Sequence, residues 1–569
     1  MTVSPARRRV ALTALFFSAL SAIFSWPLIT DPLGLQVSRQ FDLFSVLWTQ
    51  SMARPWPGLA TAATAWPLGE SLTRADSFVL LTLARSLDWL DPRLAAPICA
   101  LAGPPLSAWA AERLARRDLG AAWPWSLIAG TTYGFSGLMC TALLEGHVYV
   151  MLAPWPPLMA SALLRAERGG RLRDGLLAGL YWALSLWTSA YLGIAAAALA
   201  VALALPALLK PGARWRALMA AAATAAVAGA SYAALFLHSG ALERALSTTS
   251  RQSSVLRMSA GSARLGGMAG WDPTADMVLH SITPTLGFTA LALALFSPLL
   301  LPRVPAWRRL AAAGVVAAAL SLGPELQLYH SDLEWPWLLS PLQGLPIASF
   351  FRHPARLLWV TSLALGVGGA LAATQLARRR RLPALALVLF AVGDALLGTG
   401  APLRTARVPI TAPSAYQAAP EGWAVLELFP LYEGSVEELE LYFNNLTCAY
   451  QVHHRRPLLN QCLGTTLRSG PRWEVGSWLI DAALRQPPAA RIPQRLTSLG
   501  IGAVALHPDL FPGASRDELM AGLSQALGPP AAISVDAGER VLLYTLPVEG
   551  APPAAAVLSA ALDTVEGWE

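Results

Sequence analysis

The sequence predicts a mainly α-helical membrane protein, a polytopic helix bundle of about eleven spans followed by a small exterior α/β domain. Three observations predict it. Of the 569 residues, 54% are hydrophobic and 14% are charged, whereas an average soluble domain carries about 25% charge. Long charge-free apolar runs recur through residues 1–402, separated by short clusters of arginine. Beyond residue 402 the pattern changes to short alternating runs and polar turns, so residues 403–569 read as a separate domain.

The first apolar run, 10–28, stands behind Arg7-Arg8-Arg9. It is longer than a secretory h-region and has no small-residue cleavage site before Trp26-Pro27, so it reads as a retained span. Further runs cover 94–111, 121–144, 148–164, 176–209, 217–237, 281–302, 310–324, 357–376 and 382–402. A span takes roughly 20 apolar residues to cross about 30 Å of hydrocarbon. Run 176–209 would be about 50 Å long as one helix. It therefore reads as a helical hairpin that turns near Thr188-Ser189-Ala190.

The arginines decide the sidedness. With the N-terminus inside, the cytoplasmic loops carry Arg7 to Arg9, then Arg113, Arg116 and Arg117, then Arg165 to Arg173. The later ones carry Lys210, Arg214 and Arg216, then Arg303, Arg308 and Arg309, and finally Arg378 to Arg381. Each is short and basic, as the positive-inside rule requires, and the opposite orientation would put every cluster outside. The exterior segments are then 29–93, 238–280, 325–356 and the tail. The net charge of +7 comes almost wholly from arginine, Lys210 being the only lysine. Basic residues placed to orient helices exclude a nucleic-acid footprint. The Ala- and Arg-rich composition fits a GC-rich bacterial genome. The expected location is thus a bacterial inner membrane, with the tail periplasmic.

In the tail, 424–429, 504–506 and 541–544 read as strands, and Ser515-Arg516-Asp517-Glu518 reads as a capping box opening a helix to Leu527. Cys99 and Cys140 lie in apolar runs and read as core residues. Cys448 and Cys462 can form a disulfide if the tail faces an oxidising compartment. The chain shows no internal repeat, heptad, Walker motif or dinucleotide fingerprint.

Several polar groups stand out against this apolar background. Asp42 lies in Gln40-Phe41-Asp42-Leu43-Phe44-Ser45-Val46-Leu47-Trp48, whose spacing suits a helix along the membrane interface with Trp48 as anchor. A carboxylate partly desolvated at that depth is a candidate base, and an ordinary loop acid is the alternative. Glu145 and His147 share a short exterior turn that could hold a substrate hydroxyl or be satisfied by interfacial water. Arg352-His353-Pro354-Ala355-Arg356 sits at the outer end of its span, where the positive-inside rule disfavours it. An arginine fork there suits a lipid phosphate, or snorkels to headgroups. Asp394 falls inside the last apolar run, where a carboxylate is by default a candidate functional residue, the alternative being simple solvation near the outer end. No metal-ligand spacing such as His-x-x-x-His or Asp-x-Asp occurs.

Other short motifs accompany these. Ser25-Trp26-Pro27-Leu28 ends the first span, and Trp66-Pro67-Leu68-Gly69 follows with Asp76 downstream. Tyr133-Gly134-Phe135-Ser136 leads to Gly146-His147 and Pro154-Trp155-Pro156, and the tail holds Leu499-Gly500-Ile501-Gly502 before Val504. Together with Asp42 and the Arg352 to Arg356 turn, they make the chain resemble the GT-C superfamily of polytopic glycosyltransferases. It resembles in particular an uncharacterised bacterial branch similar to the dolichyl- or polyprenyl-phosphate-sugar mannosyltransferases. The resemblance implies a GT-C-like bundle. It makes Asp42 the catalytic residue acting on the acceptor hydroxyl, and makes Arg352 and Arg356 ligands of the leaving phosphate. Glu145, His147, His353 and Asp76 would line the donor or acceptor groove. The implied partners are a polyprenyl-phosphate-linked sugar, a lipid, glycan or protein acceptor, and the bilayer. A divalent metal (Mg2+ or Mn2+) serves some relatives. Many carry paired acids in this loop, whereas here Arg39 and Gln40 precede Asp42, which argues against a metal-dependent step. The other readings are a flippase for lipid-linked sugars and a non-catalytic membrane scaffold. Transporters usually show paired halves, which the chain lacks.

Overall fold

Every apolar run that falls among the described residues carries a helix. The computed structural model describes 4–30, 77–89, 94–208, 215–238, 304–326, 335–342, 354–398, 412–428, 447–459, 471–485, 491–536 and 539–552, apart from 27, 88, 145, 449, 452, 453, 455 and 512. It also describes a two-residue pairing of Ala60–Thr61 with Glu70–Ser71. The run 281–302 lies outside these residues. Two compact units divide the chain: Met1–Leu33, Asp76–Leu83 and Leu94–Arg407 form one, and Gly34–Ala75, Ala84–Arg93 and Val408–Glu569 form the other.

The helices of the first unit begin with α1 (Pro5–Phe24), where Pro5 occupies the first turn and the Ser4 hydroxyl accepts from the Arg7 amide. They continue with α2 (Phe78–Ser86, which runs into the second unit), α3 (Ala95–Arg113), α4 (Leu127–Gly134), α5 (Gly137–Leu144) and α6 (Trp155–Gly169). After these come α7 (Leu172–Thr188), α8 (Ala190–Leu208), α9 (Trp215–His238), α10 (Pro305–Ser321), α11 (Leu358–Arg379) and α12 (Arg381–Gly393). Among the described residues, two segments, Trp215–Ala234 and Pro354–Arg379, are long and apolar enough to cross a membrane by themselves. The second is buried at the heart of the unit and the first lies at its edge. Leu15, Val201, Val227, Val315, Leu382 and Leu389 are all exposed. A helical unit with such a surface is matched to hydrocarbon rather than water.

Two runs differ from their expected form. Run 121–144 is not one helix: 121–126 is non-helical, and the helix breaks between Gly134 and Gly137. Run 148–164 starts as a short 3-10 helix, Val148–Met151, and the α-helix begins only at Trp155. Pro154, Pro156 and Pro157 explain this, because proline fits the first turn of a helix and not its interior. The hairpin expected in 176–209 is present. Ser189 is extended (φ −163°, ψ 137°), and the Trp182 indole donates to the Gly193 carbonyl across the turn at 3.1 Å.

At one end of the unit, three of the arginine clusters meet acids, one within its own helical segment and two on neighbouring helices. Arg116 pairs with Glu112 at 2.6 Å, Arg165 with Asp174 at 3.0 Å and Arg309 with Glu167 at 2.7 Å. Arg168 donates to the Asp118 carbonyl at 2.7 Å, and Ser161 donates to the Asp118 carboxylate. These pairs satisfy polar groups that would otherwise be costly to bury. At the end of the last run, Asp394 starts a single π-helical turn, Asp394–Gly398, and is half-buried.

The second unit contains a four-stranded sheet in the tail: β1 (Ala424–Leu428), β2 (Ile501–Leu506), β3 (Ala532–Asp536) and β4 (Glu539–Thr545), in the order β1-β2-β4-β3. β1 and β2 are parallel, and the connection between them carries α13 (Pro471–Leu484) and α14 (Ile492–Ser498). β4 runs antiparallel to both β2 and β3. The two parallel strands are buried along their whole length, which is why they read as continuous apolar runs. One face, with Leu426, Leu428, Val504 and Leu506, packs on Leu479 and Leu523. The other face, with Val425, Ala503 and Ala505, packs on Tyr416 and Tyr450. Glu427 is the buried exception on β1. One of its carboxylate oxygens accepts from the Tyr416 hydroxyl at 2.9 Å and lies 3.0 Å from His507 Nε2. The capping-box reading of Ser515 needs correction. α15 (Gly513–Leu527) starts two residues earlier, placing Ser515 inside its first turn.

Candidate functional site

The candidate site is built by three short, irregular segments of the first unit. The first is the α7–α8 turn. Thr188 donates to the Leu184 carbonyl at 2.7 Å and accepts from the Trp155 indole at 3.0 Å, which closes α7 and ties it to the start of α6. Across the turn, Tyr191 falls in the first turn of α8.

The second segment runs from α5 to α6 through His147. Gly146 takes a left-handed conformation (φ 78°), which glycine reaches without a Cβ penalty. The chain then passes through the 3-10 helix to the non-helical 152–154. Irregular backbone in a membrane bundle persists only where protein satisfies its polar groups. Ser107 and Tyr133 do so here. The Ala153 amide donates to Ser107 Oγ at 3.1 Å, the Ser107 hydroxyl reaches the Met151 carbonyl at 3.2 Å, and the Tyr133 hydroxyl donates to the Ala153 carbonyl at 2.9 Å. Gly103 admits the segment, since a Cβ there would lie 2.6 Å from the Met151 carbonyl oxygen. Replacing Ser107 by alanine is expected to lower stability by about 1 kcal/mol, because the buried Ala153 amide loses one of its two acceptors and keeps only the Met151 carbonyl at 2.9 Å. Thermal unfolding of the full chain in detergent reads this, and an unchanged midpoint would mean that the segment is held by other contacts.

The third segment is the 3-10 turn Pro354–Leu357 at the head of α11, which carries Arg356. It brings Arg356 onto His147, 209 residues away in sequence. Arg356 Nη2 lies 3.3 Å from both ring nitrogens of His147. An atom equidistant from both nitrogens and approaching in the ring plane would collide with ring carbon. Nη2 therefore lies over the face of the imidazole. The central carbon of the guanidinium sits over the Tyr191 ring, 4.6 Å from the centroid. His147 in turn meets Tyr149 edge to face at 6.0 Å. Arg356, His147 and Tyr191 are all half-buried, so the cluster is accessible as well as fixed. Next to it along the same turn, Trp187 packs edge to face on Phe78 (5.2 Å) and Tyr232 (6.4 Å).

Of the residues nominated from the sequence, the structure thus brings His147 and Arg356 together. Asp42, Asp76, Glu145, Arg352, His353 and Cys462 lie outside the described residues. Cys448 is buried and disulfide-bonded, while Cys99 and Cys140 are buried thiols. Among the described residues, no three His, Cys, Asp or Glu side chains are grouped to hold a metal ion. Sequence reasoning did not find Tyr191 or Ser107. A tyrosine and a serine inside apolar helices look like core residues. The only signal for Tyr191 was its place just beyond the expected hairpin turn.

No family model and no curated protein matches the chain. Among solved structures, the arabinofuranosyltransferase AftD from Mycobacteria overlays 97% of the chain at 15% identity, with a TM-score of 0.58. The two share a fold. A second AftD structure, of the mutant R1389S, covers 96% of the chain at 17% identity and TM-score 0.54. The chain spans about two fifths of AftD, 40% of its length in the first overlay. An oligosaccharyltransferase from Archaeoglobus fulgidus, solved with zinc and sulfate, overlays 91% of the chain and 70% of its own length at 12% identity and TM-score 0.48. The arabinofuranosyltransferase fold agrees with the mostly helical bundle and small sheet expected from the sequence.

Proposed function

We propose that the chain is a membrane glycosyltransferase that moves a sugar from a polyprenyl-phosphate donor to an acceptor at the exterior face of a bacterial inner membrane. The observation that carries this reading is the meeting of Arg356 and His147 at the head of α11. Support also comes from the fold shared with a protein named as an arabinofuranosyltransferase. In this reading the N-terminus is cytoplasmic, and about eleven spans carry residues 1–402. The tail, 403–569, is periplasmic, with the Cys448 disulfide closed on Cys462.

The chemistry follows from the residue types. Asp42 takes the proton of the acceptor hydroxyl, whose oxygen attacks the anomeric carbon from the side opposite the phosphate and inverts its configuration. The bond from that carbon to the phosphate oxygen breaks, and the electron pair leaves with the lipid phosphate. Arg356 and Arg352 meet the charge that develops there. A guanidinium edge fits two phosphate oxygens, which a lysine ammonium does as a point charge only. Glu145, His147, His353 and Asp76 line the donor and acceptor groove. No step is routed through a metal.

Asp42→Asn keeps the size of the side chain and removes the base. Transfer from a polyprenyl-phosphate sugar should fall to background in membranes that still contain the protein at its normal level. Full activity in Asp42→Asn would remove Asp42 from this role. Movement of the lipid-linked sugar across a proteoliposome membrane without any transfer would replace the transferase reading with a flippase.

A further inference from the structure

The planar guanidinium of Arg356 lies against two aromatic rings contributed by separate segments, Tyr191 at the start of α8 and His147 before the 3-10 helix. We propose that Tyr191 is a positioning residue that sets the plane of Arg356, so that a phosphate of a lipid-linked substrate meets the edge of the fork and not its face. This deepens the proposed function and rests on its assignment of Arg356 to the phosphate.

An unrestrained arginine samples many conformations. Its side chain is long and rotamer-rich, so an arginine at a membrane surface loses much entropy when it takes one geometry. A ring face removes part of that freedom in advance. It attracts the cation, and it holds the guanidinium plane parallel to itself, leaving the N–H groups to point sideways. His147 acts differently: Nη2 of the fork lies 3.3 Å from both of its ring nitrogens, which fixes that end of the guanidinium. Tyr191 is itself fixed by the turn at Ser189, which the Trp155–Thr188 bond and the Trp182–Gly193 bond close. The hairpin geometry therefore reaches the anion site through Tyr191. The ring provides the face and the hydroxyl is dispensable, so phenylalanine should serve and an aliphatic side chain should not.

The test is a double-mutant cycle on the full chain in phosphatidylcholine nanodiscs, with a fluorescent farnesyl phosphate as probe and the matching farnesyl alcohol as control. Tyr191→Leu should weaken phosphate-probe binding about five- to tenfold, and Tyr191→Phe should recover most of it. Neither change should alter binding of the alcohol. In an Arg356→Gln background, Tyr191→Leu should have no further effect, because its action passes through the arginine. An equal loss in both backgrounds would overturn the proposal and make Tyr191 an ordinary lining residue. If Arg356→Gln alone leaves probe binding unchanged, the assignment of Arg356 to phosphate fails first, and the two failures are thereby told apart. Discs containing phosphatidylglycerol separate the two sources of phosphate. Loss of probe binding there would mean that an ordinary headgroup occupies the site, and would overturn a lipid-linked substrate as its ligand.

Discussion

Arg356→Gln is expected to lower sugar transfer by about 10²–10³-fold, the usual cost of removing one fixed donor from a site where charge develops. The loss should fall mainly on kcat. The lipid phosphate is already anionic in the bound donor, but it gains charge as the bond to the sugar breaks, and only that gain distinguishes transition state from ground state. Stability should change little. Arg356 is half-buried, and its ring contacts with Tyr191 and His147 are of a kind worth about 1 kcal/mol at such a site. Arg356→Lys should fall between the two, because it keeps the charge but not the planar fork. The measurement is transfer of sugar from a polyprenyl-phosphate donor by purified protein, with kcat and KM separated. A raised KM with unchanged kcat would make Arg356 a simple anchor for the donor and remove it from transition-state stabilisation.

The fold was largely legible because its two strongest signals are physical necessities. A bilayer requires long apolar runs, so the helices fall where hydropathy places them, and the length of 176–209 forced a turn that Ser189 supplies. Finer features were hidden for equally physical reasons. The break between α4 and α5 falls between Gly134 and Gly137, inside a run with no charge to mark it. In the tail, Ser515 had the right spacing for a cap, but the helix begins two residues earlier, immediately after Pro512. The candidate site was half legible. His147 and Arg356 drew attention as polar groups at helix ends predicted to be exterior. Their meeting depends on how α5, α8 and α11 pack, and no local pattern encodes a contact across 209 residues. Tyr191 had no charge to single it out, and its role exists only once Arg356 lies over it.

Gly175→Val should abolish correct folding of the first unit. α7 and α9 approach each other along Gly175 and Gly179, one turn apart on the same face. A Cβ on Gly175 would stand 1.9 Å from the Ala217 carbonyl oxygen, and one on Gly179 would stand 2.7 Å from that of Ala221. In lipid, helices gain little from leaving the solvent, so close backbone approach and dispersion hold them together, and small residues make that approach possible. Overpacking a core usually costs about 1–3 kcal/mol because side chains can shift. Here the obstacle is backbone, so the helices must separate along their whole contact. The adjacent residue supplies the control. Leu176 is 46% exposed on the apolar outer surface, and Leu176→Val on the same turn should leave the protein unchanged. The readout is the monodisperse fraction and thermal midpoint of detergent-purified protein. Gly175→Ala should show an intermediate loss, because even one methyl meets the carbonyl. A Gly175→Val protein as stable as the Leu176→Val control would mean that α7 and α9 do not pack through these glycines.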